Sequence, residues 1–334
     1  MTMPAPSRPV TPPVTLSDIR NAAYRIGPHV TRTPLRLSPF LSKHIGHIVR
    51  LKLETMQDTG AFKLRGATNA LMQLSDDARS RGVLAVSTGN HGRGVAHAAK
   101  SLGIPCVVYM SELVPDVKVR AIRDLGADVV IHGRSQDEAE VAAMARIAED
   151  RLTYIHPFDQ AAVIAGQGTL GLEIIEDMPD IANLIVPLSG GGLLAGTALA
   201  VKTLRPDVHV VGVTMDRGAA MIESMQAGKP VPVEEVESLA DSLGGGIGSD
   251  NALTLTMCQH LTDETLLLSE SEIAAAMRTL FFEDRIVAEG GGAIGVGALM
   301  SRKLNLHPGP TAIVISGCNV DMNVFLSILA SIES

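Results

Sequence analysis

The 334-residue chain has no tryptophan, only 3% aromatic residues and three cysteines, and its 28 basic residues are outnumbered by 36 acidic ones, for a formal charge of −8. Few aromatic platforms and no basic excess exclude a nucleic-acid binder, which needs basic tracks and stacking surfaces. Cys106, Cys258 and Cys318 lie far apart with no CxxC pair, which predicts free thiols in a reducing cytosol rather than disulfides or a metal centre. Cys258-Gln259-His260 lacks further ligands nearby and reads as structural. Residues 1–13 carry five prolines and no apolar stretch, so they read as a flexible lead without a signal peptide. Ile181–Val201 has no formal charge, but Asn183, Pro187 and Ser189–Gly192 interrupt it, and irregular backbone is not tolerated against lipid. A buried strand, a glycine loop and a helix are expected there, in a soluble cytoplasmic protein.

What the chain has is glycine, 32 residues of it, much of it in runs. Short β-branched runs are predicted as strands over Val83–Ser87, Ile104–Met110, Asp128–His132, Asn183–Pro187, His209–Thr214 and Thr311–Ser316. Several are apolar almost throughout, as strands covered on both faces are. Helical patterns fall between them, including Pro115–Leu125, Ser135–Glu149, Leu193–Thr203, Ser271–Phe282 and Ala293–Lys303. Such alternation predicts an α/β fold with mainly parallel sheets and ligands beyond the carboxyl ends of the strands. Ala227–Gly246 breaks the pattern with Pro230, Pro232 and an acidic run, as either a surface excursion or a mobile active-site loop.

The glycines gather in five candidate loops and one further stretch. Thr59-Gly60-Ala61-Phe62-Lys63-Leu64-Arg65-Gly66-Ala67 reads as a helix start capped by Asp58 or Thr59, with Lys63 in its first turn. Desolvation there would lower the lysine's pKa and suit it to Schiff-base chemistry; the alternative is a solvated surface lysine. Ser87-Thr88-Gly89-Asn90-His91-Gly92-Arg93 follows a strand and opens a helix, either as an anion cradle or as an ordinary capped turn. Pro187-Leu188-Ser189-Gly190-Gly191-Gly192-Leu193 points backbone N–H groups at a cofactor phosphate, with no Walker lysine following. Near the C-terminus, Glu289-Gly290-Gly291-Gly292 opens a helix and Ser316-Gly317-Cys318-Asn319-Val320-Asp321 closes the last strand. Gly166-Gln167-Gly168-Thr169-Leu170-Gly171 matches GxGxxG, but it sits within a helical stretch rather than after a strand, against the dinucleotide fingerprint.

Together, and in this order, these motifs resemble the fold-type II pyridoxal-phosphate enzymes, specifically the threonine dehydratase-like group. The resemblance runs from about Val14 to the C-terminus. It implies two open, mainly parallel sheets with pyridoxal 5'-phosphate in the cleft between a large domain (14–80 and 156–334) and a small one (81–155). It also implies that Lys63 binds the cofactor covalently and acts as general base, with Phe62 beside it. Asn90 would hydrogen-bond the ring's 3-hydroxyl, Gly190, Gly191, Gly192 and Leu193 would hold the phosphate, Ser316 would face the ring nitrogen, and Glu289 would lie near the ring. Ser87, Thr88, Gly89 and His91 would hold the substrate carboxylate, with Asp241 and Arg93 at the substrate end. The reaction implied is β-elimination from a 3-hydroxy amino acid, giving a 2-oxo acid and ammonia, in an enzyme commonly dimeric.

The sequence departs from that family in places. Ser189 stands where glycine is usual, Arg93 where an uncharged residue is usual, and Thr88 where racemases carry serine. Thr214, Gly218 and Ala220 occupy the family's divalent-cation positions, so no metal is expected. Ser-Thr-Gly-Asn-His-Gly-Arg and Asp-Ser-Leu-Gly-Gly-Gly look most like the hydroxyectoine-utilisation dehydratases, which implies a hydroxylated diaminobutyrate substrate. Threonine, serine and 3-hydroxyaspartate remain alternatives, and Arg93 either meets a second carboxylate or points to solvent. The chain ends on an expected helix, Met322–Ile332, so no C-terminal regulatory domain is expected. β-Replacement, an NAD-binding oxidoreductase reading Gly166–Gly171, and a catalytically silent ligand-binding protein are the competing readings.

Overall fold

The computed structural model describes residues 13–87, 89–112, 114, 116–134 and 136–331. The chain opens with α1 (Leu16–Ile26), β1 (Leu35–Leu37), α2 (Pro39–Ile45), β2 (Val49–Leu53), α3 (Lys63–Met72) and α4 (Asp76–Arg81). It continues through β3 (Val83–Val86), α5 (Asn90–Leu102), β4 (Cys106–Met110), α6 (Asp116–Arg123), β5 (Asp128–Ile131), α7 (Gln136–Asp150) and β6 (Thr153–Tyr154). Then follow α8 (Ala161–Asp177), β7 (Asn183–Pro187), α9 (Gly192–Leu204), β8 (His209–Met215), α10 (Ala220–Ala227) and α11 (Thr254–Leu261). The last elements are β9 (Glu264–Leu268), α12 (Glu270–Asp284), α13 (Gly290–Ser301), β10 (Thr311–Ile315) and α14 (Met322–Ala330).

Two sheets result. The larger runs β1-β2-β10-β7-β8-β9, parallel except for β1. The smaller runs β5-β4-β3-β6, parallel throughout. All six expected strands are present. β7 and β10 are buried at every residue, which is why their sequences are apolar after the opening Asn183 and Thr311. β1, β2, β6 and β9 lie outside the expectation. Val49-Arg50-Leu51-Lys52-Leu53 alternates as a half-buried strand does, but β2 also buries Lys52 on its polar face.

The side chain of Lys52 is nevertheless inside, and a charge there needs a partner. Its Nζ donates to Glu173 Oε2 at 2.5 Å and to the Thr33 carbonyl at 2.6 Å. Arg65 on α3 joins the same network, donating to Glu54 Oε2 at 2.8 Å and Glu173 Oε1 at 2.6 Å. Two cations and two carboxylates thus tie α3 to β2, α8 and the turn after β2. Lys63 begins the helix that this network anchors.

The GxGxxG stretch lies inside α8, so the dinucleotide reading is overturned. Its glycines serve packing instead. A Cβ on Gly166 would stand 2.6 Å from Gly66 Cα of α3, and one on Gly171 would stand 2.6 Å from the Thr197 carbonyl of α9. Both distances are below contact, so the three helices touch backbone to backbone. Gly166→Ala should therefore lower the thermal midpoint by roughly 5–10 °C through overpacking. A scanning-calorimetry midpoint equal to that of the parent would contradict this packing.

Candidate active site

The site forms where β2, β3, β7 and β10 end, the edge at which open α/β sheets bind ligands. The β10–β2 register sets Ile315 opposite Leu53, so the chain leading to Lys63 and the chain carrying Ser316 emerge side by side. Phe62 N–H donates to the Ser316 carbonyl at 3.0 Å, and Ala61 bridges Gly317. These contacts start α3 at Lys63. The expected cap by Asp58 or Thr59 is not formed: α3 has no side-chain cap, and the Thr59 hydroxyl turns to the Ala61 carbonyl at 3.4 Å. The loop after β10 does the work a cap would do.

Lys63 reaches inward. Its Nζ donates to the Pro157 carbonyl at 2.6 Å and lies 5.2 Å from the centre of the Phe62 ring. No carboxylate stabilises its charge, and burial alone lowers its pKa to about 8. That setting differs from that of Lys52, whose amine meets Glu173. Residue 158, next along, floors the glycine loop. A Cβ on Gly190 would overlap the Phe158 ring, and one on Gly192 would sit 3.0 Å from Phe158 Cα. Gly191, at φ +87°, is the N-cap of α9 with no side-chain cap, so no capping side chain answers the N–H groups of the helix's first turn, which suit a bound anion. Behind Gly191, a Cβ would meet Met221 Cε at 2.8 Å and Cys258 Sγ at 2.9 Å. Asp159 braces this wall by accepting the N–H groups of Ala252, Leu253 and Thr254 at 2.8, 3.0 and 2.7 Å. Leu193 packs its side chain into the core behind the loop.

On the opposite side, Asn90 Nδ2 donates to Glu289 Oε1 at 2.7 Å, and Asn319 N–H donates to Glu289 Oε2 at 3.1 Å. Burial, with Asp241 close by, pushes the Glu289 carboxyl up to about 7. Ser316 is buried, its hydroxyl only 3.4 Å from the Gly291 carbonyl, a weak bond that leaves it available. The 239–243 segment packs on the start of α13, where a Cβ on Gly290 would overlap the Leu239 carbonyl. This part of Ala227–Gly246 therefore belongs to the site's wall.

The loop after β3 is more varied. Ser87 Oγ accepts the Gly89 N–H at 3.3 Å, and Thr88 lies outside the described residues. His91 is buried, and burial pushes it down to about 3, so the ring is neutral. Its Nε2–H donates to the Ile155 carbonyl at 2.8 Å, tying α5 to the end of β6. Arg93 Nη1 donates to Asn319 Oδ1 at 2.8 Å. Asp241 stands at the mouth, 3.2 Å from Lys118 Nζ of α6. Among the residues the sequence reading did not single out are Pro157, Phe158 and Asp159, which follow β6 with no periodic signal, and Asn319 as a hub.

The residues suit pyridoxal phosphate. A glycine cradle that any Cβ would fill, helix amides without a capping side chain, an inward amine of lowered pKa and a buried hydroxyl meet in one cleft. Gly191→Ala should weaken cofactor binding about tenfold or more, because it strains a positive φ and fills the cradle. Capture of the cofactor aldehyde requires the neutral amine, so its rate on cofactor-free enzyme should rise with pH and level off above about 8. A rate still climbing toward the ordinary lysine value of 10.5 would contradict the burial of Lys63.

Comparison with known proteins agrees. The pyridoxal-phosphate dependent enzyme family matches residues 26–317. A putative threonine dehydratase of Sinorhizobium fredii is 52% identical over 316 residues, covering 95% of each chain. An L-threonine ammonia-lyase of Thermotoga maritima is 42% identical, over 93% of this chain and 77% of its own. The crystal structure of a T.th. threonine deaminase superposes with a TM-score of 0.85 at 37% identity, covering 92% of this chain and 99% of that one. The chain belongs to the pyridoxal-phosphate dependent enzyme family and is a lyase of its threonine dehydratase-like kind.

Proposed function

We propose that the enzyme eliminates the β-hydroxyl of a 3-hydroxy amino acid, releasing a 2-oxo acid and ammonia. The inward amine of Lys63, held by a carbonyl rather than a carboxylate beside the glycine cradle, carries this reading. The bound cofactor supplies the electron sink that makes a Cα proton removable. Lys63 then accepts that proton, for which a pKa of about 8 is well matched. The amides of Gly190–Leu193 hold the phosphate end, and the Ser316 hydroxyl addresses the ring nitrogen. A neutral hydroxyl there holds no formal charge against the ring, which favours prompt loss of the hydroxyl group. Asn90 and Glu289 would hold the cofactor ring's other edge, and Ser87 and Gly89, with Thr88 between them in sequence, would receive the substrate carboxylate.

L-Threonine and L-serine are the substrates we favour, because the similar dehydratase and ammonia-lyase share most of this chain's length. A second carboxylate, as in 3-hydroxyaspartate, needs a free cation, whereas Arg93 is engaged by Asn319 and Lys118 by Asp241. A second reading is a hydroxylated diaminobutyrate of hydroxyectoine utilisation, for which Asp241 would exchange its Lys118 partner for the extra amine of the substrate. Unpaired thiols at Cys106, Cys258 and Cys318 suit a cytoplasmic location. No helix among the described residues is long and apolar enough to cross a membrane. A homodimer is supported by α14, which has no charged residue and exposes Met322, Val324 and Leu326.

Measuring 2-oxo acid release from serine, threonine, 3-hydroxyaspartate and hydroxylated diaminobutyrates tests the reaction. Turnover of threonine or serine that disappears in Lys63→Ala is expected. Release from none of the four, or undiminished turnover in Lys63→Ala, would overturn the proposal.

A further inference from the structure

Asn90 and Arg93 stand three residues apart on one face of α5, and both end on a single residue of the loop after β10. Arg93 Nη1 donates to Asn319 Oδ1 at 2.8 Å. Asn319 Nδ2 donates to Asn90 Oδ1 at 2.6 Å and to the Thr59 carbonyl at 2.8 Å. Asn90 Nδ2 is then left to donate to Glu289 Oε1 at 2.7 Å.

The two ends of a carboxamide have the same shape, so its partners alone decide which way it faces. A guanidinium only donates and a peptide carbonyl only accepts. Between them, Arg93 and Thr59 permit one direction for Asn319. With its NH2 turned to Asn90 Oδ1, Asn319 in turn permits one direction for Asn90, with the NH2 toward Glu289. The Thr59 carbonyl favours this direction of Asn319 from one end, and Arg93 enforces it from the other; a neutral side chain at position 93 that both donates and accepts adds no such constraint. The cation also strengthens each bond along the chain by polarising the next.

Position matters as well as direction. Gly94, next to Arg93, lies against the backbone that carries Lys63: a Cβ there would stand 3.1 Å from Lys63 C and 3.2 Å from Leu64 N. The first turn of α5 therefore rests on the first turn of α3. The Arg93–Asn319 bond fastens that turn to the loop after β10, which itself holds Phe62 through the Ser316 carbonyl.

We propose that Arg93 is a positioning residue for the elimination, acting through Asn319 to set the direction of the Asn90 carboxamide and to seat α5 on Lys63. It rests on the reading of Lys63 and Asn90 as cofactor contacts. The test compares holoenzymes of Arg93→Ala, Arg93→Lys and Asn319→Asp by steady-state kinetics and by the visible absorbance of the bound cofactor. Arg93→Ala should lower kcat about tenfold or more while KM stays within about threefold, and should change the cofactor spectrum. Asn319→Asp keeps the acceptor for Arg93 but lacks the NH2 for Asn90, so it should show the same spectral change. Arg93→Lys, still donor-only, should recover most of kcat. If Arg93→Ala does not fold, the other two variants carry the comparison.

A raised KM at unchanged kcat and unchanged spectrum would make Arg93 a substrate contact and overturn the proposal. Variants with parental kcat and spectrum would overturn it too. The underlying site reading fails separately: it falls if a Lys63→Ala holoenzyme keeps the cofactor covalently bound, whatever the Arg93 variants do.

Discussion

A lysine amine drawn away from water without a counter-charge is the constraint on which the rest of this molecule depends. Burial disfavours the ammonium form and costs stability wherever no carboxylate answers it. Elsewhere the protein answers its buried cations: Lys52 has Glu173, and Arg65 has Glu54 and Glu173. Lys63 has the Pro157 carbonyl instead. The ion network around Arg65 ties α3, whose first residue is Lys63, to Glu54 and to Glu173 of α8. The compensation is chemical, since a lowered pKa gives the amine a far larger neutral fraction than an ordinary lysine has, and only the neutral form attacks a carbonyl or accepts a proton.

The surroundings are built mainly from backbone. Glycines at 190, 191 and 192 let helix amides face an anion, and Gly94 lets α5 settle onto Lys63. Side chains then fix the directions that backbone leaves free: Asp159 braces the cradle wall, and Asn319 orders the amide chain between Arg93 and Glu289. The composition makes sense in these terms. Runs of glycine mark places where a phosphate, a carboxylate or another helix must come close, while the net charge of −8 has no role in holding an anionic cofactor that local N–H groups hold.

Much of this was legible in the sequence because it is local. β7 and β10 are apolar runs after their opening residues, and each loop motif carries its own residues within a few positions of one another. What escaped is long-range. β2 alternates as a half-buried strand does, but the burial of Lys52 was not legible, because its carboxylate lies 121 positions away, on α8. Phe158 under Gly190, and Asn319 between Asn90 and Arg93, are neighbours only after the sheets have formed. The expected cap at Asp58 or Thr59 failed for the same reason: β10 delivers Ser316 to Phe62, and that contact makes the cap redundant. The GxGxxG stretch shows the reverse case, a pattern fitting a ligand loop that helix packing explains instead.

The central claim is that Lys63, among all the lysines, is the one that holds the cofactor. Reductive trapping of the bound cofactor in the native enzyme, followed by peptide mapping, tests it directly. The account predicts a single modified residue, Lys63. Modification at the buried Lys52, or at any surface lysine with Lys63 left free, would contradict it.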